Sequence, residues 1–137
     1  MKKTDLAYFA GILDGEGYIG INPRRQRGYS CPSLEVVITN TKFWLLEQLK
    51  FSFGGYVSIG KKVKPNWNIR GSWIVSHRVA LTFLELVYPY LKLKKQEAEI
   101  AIAFQKTKRH GGRRKDERER AVEEAQRILL KQLKGRI

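Results

Sequence analysis

Phe9-Ala10-Gly11-Ile12-Leu13-Asp14-Gly15-Glu16-Gly17, residues 9 to 17, marks where a helix gives way to a sheet. Leu6, Ala7, Phe9, Ala10, Ile12 and Leu13 recur at helical spacings, with Thr4 or Asp5 to cap the start and Gly15 and Gly17 to stop the end. Asp14 and Glu16 then fall at a helix C-terminus, where the backbone dipole already presents negative charge. Acids in that place, beside glycines that admit a phosphate or another backbone, are costly unless a cation sits on them. Magnesium suits such a site, because it takes oxygen ligands and needs only one or two protein carboxylates when phosphates complete its shell. The plainer alternative is a turn-forming Asp14 and a solvated Glu16. Within the helix, Ala7, Gly11 and Gly15 recur every fourth residue with Ala10 beside them, a ridge low enough for a second helix to reach the backbone. The other candidate helices carry larger residues at this spacing, so the expected partner is the same helix of a second copy about a two-fold axis. Ala7, Ala10, Gly11 and Asp14 are the expected interface residues; packing of this helix on its own sheet is the alternative.

Outward from this stretch the period changes to two. Ile19 and Ile21 alternate with Tyr18, Gly20 and Asn22, and after a polar turn from Arg24 to Pro32, Leu34, Val36 and Ile38 alternate with Ser33, Glu35, Val37 and Thr39. These strands predict a hairpin. Phe43, Leu46, Leu49 and Phe53 make a helical stripe, with Thr41 as a possible cap and Gly54-Gly55 as its end. A second hairpin is expected from Tyr56 to Lys62 and Trp67 to Ser76, then a helix through Val79, Leu81, Leu84 and Val87, and another from Leu91 to Phe104. The order helix, hairpin, helix, hairpin, helix predicts an α+β fold (αββαββα): one antiparallel sheet with helices on one face and the other face open.

The chain has 137 residues and a net charge of +14, and 42% of it is hydrophobic, enough for a single domain with a real core. So basic a surface collects polyanions, nucleic acid first and acidic membrane second. No apolar run is long enough to span a bilayer, and the start, Met1 to Asp5, leads into a stretch interrupted by Asp14 and Glu16, so a soluble, unprocessed, intracellular protein is expected, in a prokaryotic cytoplasm or an organelle alike. The single Cys31 excludes an intrachain disulfide and a cysteine zinc cluster. His77 and His110 are isolated and lack metal-ligand spacing. Half of the net charge lies in residues 105–137, expected as a basic linker followed by a helix with a box of Asp116 and Glu119 and a stripe of Val122, Ala125, Leu129 and Leu133.

On the open face, alternation places Asn22, Arg24, Gln26, Ser33, Thr39, Ser58, Lys62, Asn68, Arg70 and Ser72. Arg pairs with guanine acceptors, Asn and Gln with adenine, Ser and Thr with either, and Lys61, Lys62 and Lys64 suit phosphates. A ribbon of this width fits a DNA major groove.

Residues 9 to 17 resemble the nine-residue motif of the LAGLIDADG homing endonucleases: Ala10, Gly11, Asp14 and Gly17 are identical, and Glu16 stands for the family's final acid. Tyr90-Leu91-Lys92-Leu93-Lys94 also resembles the family, and the likeness covers about residues 4 to 104, an endonuclease domain at 1–104 with the tail, 105–137, beyond it. The resemblance implies a site-specific DNA endonuclease, working as a homodimer because the motif occurs once, on a long and nearly palindromic site in double-stranded DNA. It implies cuts across the minor groove that leave short 3′ overhangs, and a divalent metal, Mg²⁺ or Mn²⁺, held by Glu16. It also gives Asn40 as a polar residue that orients water and Lys94 as a basic residue at the scissile phosphate; a helix cap for Asn40 and an ordinary phosphate contact for Lys94 are the plainer alternatives. Nothing in the tail matches the family's motifs, and it is expected to add phosphate contacts or to dock on the dimer.

Rival readings keep the basic fold and drop the chemistry. One is a non-cleaving nucleic-acid-binding protein of the same fold, a splicing maturase or a DNA-binding regulator; Glu16 at an unfavourable helix end argues against it. The other is an RNA-binding module with Trp stacking platforms. Against that, Trp67 and Trp73 fall on the apolar side of their strand and Trp44 adjoins a helix stripe, so all are expected in the core.

Overall fold

In the computed structural model, which describes residues 1–26, 28–60, 65, 68–108 and 116–135, the first helix is longer than its glycines suggest. α1 runs Lys3–Glu16, with the Asp5 carboxylate accepting from the Lys2 backbone N–H at 3.3 Å. Gly15 does not end it; Gly17 does, donating its N–H to Leu13 O. A Cβ at Gly17 would meet Leu13 Cδ1 at 2.4 Å, so only glycine lets the chain turn straight from helix into strand here.

The sheet follows: β1 Gly17–Asn22, the short β2 Arg25–Gln26 and β3 Tyr29–Ser30, and β4 Ser33–Asn40. Then come α2 Phe43–Phe53, β5 Tyr56–Ile59, β6 Gly71–Ser76, α3 His77–Val87, a single 3₁₀ turn at Tyr88–Tyr90, α4 Lys95–Thr107 and α5 Glu117–Leu133. The main sheet is antiparallel in the order β1-β4-β6-β5, and β2 and β3 pair separately. The fold is α+β, in the order the periodicity predicts.

Its core lies between sheet and helices. Ile19, Leu34, Val36, Ile38 and Trp73 point down from the sheet onto Phe9, Leu13, Leu46, Leu49, Phe83 and Phe104. Phe53 packs edge-on against Phe9 and Phe83, with ring centroids 5.5 and 4.8 Å apart, and Trp73 meets Phe83 at 4.9 Å. The Trp73 indole N–H is also satisfied, donating to Gly54 O at 2.8 Å. Trp73→Ala would open a large cavity and orphan that carbonyl, and is expected to cost about 3–5 kcal/mol in chemical denaturation.

Several local expectations are corrected by contacts that a one-dimensional pattern does not contain. Trp44 is exposed rather than in the core, and Trp67 lies outside the described residues. Lys42, not Thr41, precedes α2, and its N–H donates to the Asn40 side chain at 2.8 Å. The second hairpin is shorter than expected: β5 ends at Ile59 and β6 starts at Gly71, with one further bond from Gly60 N to Arg70 O. The turn between the first strands contains the β2–β3 ladder. α4 starts at Lys95, not Leu91, because the Asp14 carboxylate holds the N–H groups of Lys92 and Lys94 in a bend.

The C-terminal helix is capped as expected, Asp116 accepting from Glu119 N at 2.8 Å, but it is rotated. It packs on α4 and β1 through Leu130, 2% exposed, while Leu129, Val122, Ala125 and Leu133 of the expected stripe face outward. Adjacent leucines give the helix two possible apolar faces, and the docking site selects between them.

Candidate metal site and nucleic-acid interface

α1 delivers Glu16 to the sheet at the point where β4 ends, since Gly17 pairs with Ile38 and Glu16 therefore lies level with Thr39. Asn40 Nδ2 donates to Glu16 Oε2 at 2.6 Å, while Asn40 Oδ1 accepts from Lys42 N. Asn40 thus fixes the entry to α2 and holds the acid. On the other side of the helix end, Lys94 Nζ donates to Asp14 O at 2.7 Å. An ammonium on a terminal carbonyl complements the helix dipole, and it still has donors for a second acceptor. Glu16, Asn40 and Lys94, 78 residues apart at the extremes, are gathered around one helix terminus.

Asp14 has a different part in this arrangement. Its carboxylate accepts from Lys92 N at 2.8 Å and Lys94 N at 3.0 Å, so it carries the bend that positions Lys94. Asp14→Ala would release two backbone donors and the bend with them. An expected loss of about 1–3 kcal/mol in thermal or chemical unfolding checks this.

Glu16 itself is exposed and its remaining lone pairs are free of protein donors among the described residues. No group of three or more His, Cys, Asp or Glu surrounds it among those residues. A hard carboxylate oxygen with a neutral amide beside it fits a cation that draws most of its shell from water and phosphate, as Mg²⁺ and Mn²⁺ do. A cavity of about 450 Å³ opens beside this centre, lined by Asp14, Gly17, Tyr18 and Lys94 and closed by Leu133 and Lys134 of the C-terminal segment. Lys134 donates to Ile19 O, and its ammonium lies 4.0 Å from the Tyr18 ring centroid.

The open face of the sheet forms rows fixed by strand register. Thr39, Ser72 and Ser58 make one row, with Thr39 and Ser72 hydroxyls 2.8 Å apart. Asn22 and Ser33 pair at the far end, where Asn22 accepts from the Tyr18 phenol at 2.9 Å and Ser33 is buried rather than offered to a ligand. Arg24, Asn68 and Arg70 are exposed, the last two just outside β6. Gln26 lies in β2, and Lys62 falls outside the described residues. Tyr18, Glu35, Val37, Ile74 and Tyr56 share this face too, by the same alternation.

The far end of the sheet is basic. His77 opens α3 with a left-handed φ of 53°, and its imidazole is held below the usual range by partial burial, then by Lys108 and Arg24. His110 lies outside the described residues.

Of the expected interface residues on α1, Ala7 and Gly11 are exposed, Ala10 is buried in the chain's own core, and Asp14 is engaged as above. A Cβ at Gly11 or Gly15 would meet nothing within 4 Å, so this face of the helix is open. No helix is long and apolar enough to cross a membrane among the described residues.

No protein-family model and no curated protein matches the chain. Solved structures do. The homing endonuclease I-CvuI in complex with its target aligns with a TM-score of 0.64 at 22% identity, covering 76% of this chain and 67% of that one. The archaeal intron-encoded homing endonuclease I-Vdi141I complexed with DNA aligns at 0.62 and 15% identity over 96% of this chain and 98% of that one. The LAGLIDADG meganuclease I-CpaMI bound to uncleaved DNA aligns at 0.58 and 14% identity, and there this chain spans only 35% of the other's length.

Proposed function

We propose, from the premise that this chain has the fold of the LAGLIDADG homing endonucleases, that it is a site-specific endonuclease of double-stranded DNA. The observation that carries this is the gathering of Glu16, Asn40 and Lys94 at one helix end, below the edge of an open sheet on a chain of net charge +14. An acid at a helix C-terminus opposes the backbone dipole, and Glu16 stands exposed there.

In this reading Glu16 would hold a divalent ion, Mg²⁺ or Mn²⁺, whose chemistry there would be positive charge for the phosphate oxygens and a lowered pKa for a bound water. The chain's own groups do the rest. Asn40 fixes the Glu16 carboxylate by its 2.6 Å bond, so the acid does not reorganise when the phosphate arrives. Lys94, anchored on Asp14 O, turns a remaining N–H toward the phosphate and stabilises the charge that develops there. Asp14 keeps Lys94 in place through the bend. The serine- and arginine-bearing sheet face positions the duplex in the major groove, with Arg24, Asn68 and Arg70 at its exposed margins.

A single such centre serves one strand. The open face of α1, where Ala7, Gly11 and Gly15 are exposed and a Cβ at either glycine meets nothing within 4 Å among the described residues, supports a second copy packed about a two-fold axis, bringing two centres to the two strands of a nearly palindromic, intron-type site. The tail, 105–137, adds basic charge to each half. Incubation with a randomised duplex library in Mg²⁺, followed by sequencing of cut ends, tests the proposal. One family of two-fold symmetric sites with paired breaks is expected, and none with chelator. Symmetric sites selected but left intact would favour a non-cleaving regulator or splicing factor instead.

A further inference from the structure

The open sheet face carries one apolar row among polar ones. Val37 of β4 and Ile74 of β6 are register partners at its centre, with Tyr18 beyond Val37 and Tyr56 beyond Ile74. Both central residues are half-exposed. The Tyr18 ring does not cover them: its phenol runs along β1 to Asn22, over Gly20, where a Cβ would stand 2.1 Å from the phenol oxygen. On one side of this row lie the hydroxyls of Thr39, Ser72 and Ser58, and on the other Glu35 and Ser76. The apolar patch is therefore two β-branched side chains wide and bordered by hydrogen-bonding groups.

Resting on the reading of this face as a DNA-binding surface, we propose that Val37 and Ile74 read the methyl group of a thymine in each half-site. Among the major-groove edges of the four base pairs the thymine C5-methyl is the one apolar group that projects into the groove; cytosine presents only a C–H at that place, and the other positions offer donors or acceptors. Two adjacent branched side chains, with Cβ atoms about 5 Å apart, form a seat for one methyl and cannot satisfy a polar edge. A protein partner would need a far wider apolar core than this pair supplies. The net charge of +14 selects the polyanion as occupant. Because a two-residue step along a strand is about 6.7 Å, or roughly two base-pair steps, this thymine lies inward of the bases reached from Asn22 and the loop beyond it.

The test begins with the unaltered protein. The full chain selects its site from a randomised duplex library, and each selected dT is then replaced by dU, which removes only the methyl. At one dT per half-site, inward of the outermost selected positions, the replacement is expected to weaken binding about fourfold to tenfold. Val37→Ser should bind dT and dU duplexes equally at that position. Equal binding of dT and dU at every position by the unaltered chain overturns the inference while leaving the endonuclease reading intact. A chain that selects no duplex sequence at all overturns both.

Discussion

Glu16→Gln is expected to abolish cleavage of the selected duplex, by about a thousandfold or more in a single-turnover assay, while leaving binding to the same duplex intact. The substitution keeps the size of the side chain and an oxygen for Asn40 Nδ2, so the 2.6 Å bond survives and the entry to α2 with it. What it removes is the charge that draws a divalent ion to the end of α1. Several kcal/mol of stabilisation at the reacting phosphate depend on that ion, and a neutral amide is a poor ligand for a hard cation. Affinity should hold or rise, because one negative charge facing the phosphates is gone. Gel-shift titration beside the cleavage assay separates the two effects; a variant that cuts within tenfold of the parent would remove Glu16 from the chemistry.

Gly11→Leu has the second large effect, and it acts between chains. A Cβ at this position meets nothing within 4 Å among the described residues, and replacing an exposed helical glycine by leucine favours the helix by up to about 1 kcal/mol. The fold should therefore be at least as stable as before. Between two copies of α1, however, the same side chain stands where the backbones must approach. Sedimentation is expected to show a folded monomer. Affinity for a two-fold site should fall by about 10² to 10⁴, because each half then binds without the effective concentration supplied by its partner. A variant that sediments as a dimer would place the interface elsewhere.

The elements of this fold were legible because each rests on local chemistry. Alternation along Ile19–Ile21 and Leu34–Ile38, and helical spacing through Phe43–Phe53, is visible wherever one face of an element is buried. Glu16 was legible for an electrostatic reason, an acid where a helix end disfavours one. Asn40 and Lys94 entered only through family resemblance, and nothing local predicts the bonds that tie them to Glu16 and Asp14. The bend at Lys92–Lys94 is set by a carboxylate 78 residues earlier in the chain, so helical periodicity placed the start of α4 too early. The buried face of α5 is set by tertiary contact in a similar way: Leu129 and Leu130 are equally apolar, and only the surface of α4 and β1 distinguishes them. The apolar row of Val37 and Ile74 was missed because it joins residues 37 apart through strand pairing that the order of strands alone does not supply.

Whether Glu16 holds a divalent ion at a DNA phosphate is measured by anomalous diffraction from the protein in complex with its selected duplex and Mn²⁺. A manganese peak is expected roughly 2.0–2.2 Å from a Glu16 carboxylate oxygen and in contact with a phosphate oxygen. Well-ordered duplex on the sheet with no manganese at Glu16 would contradict it.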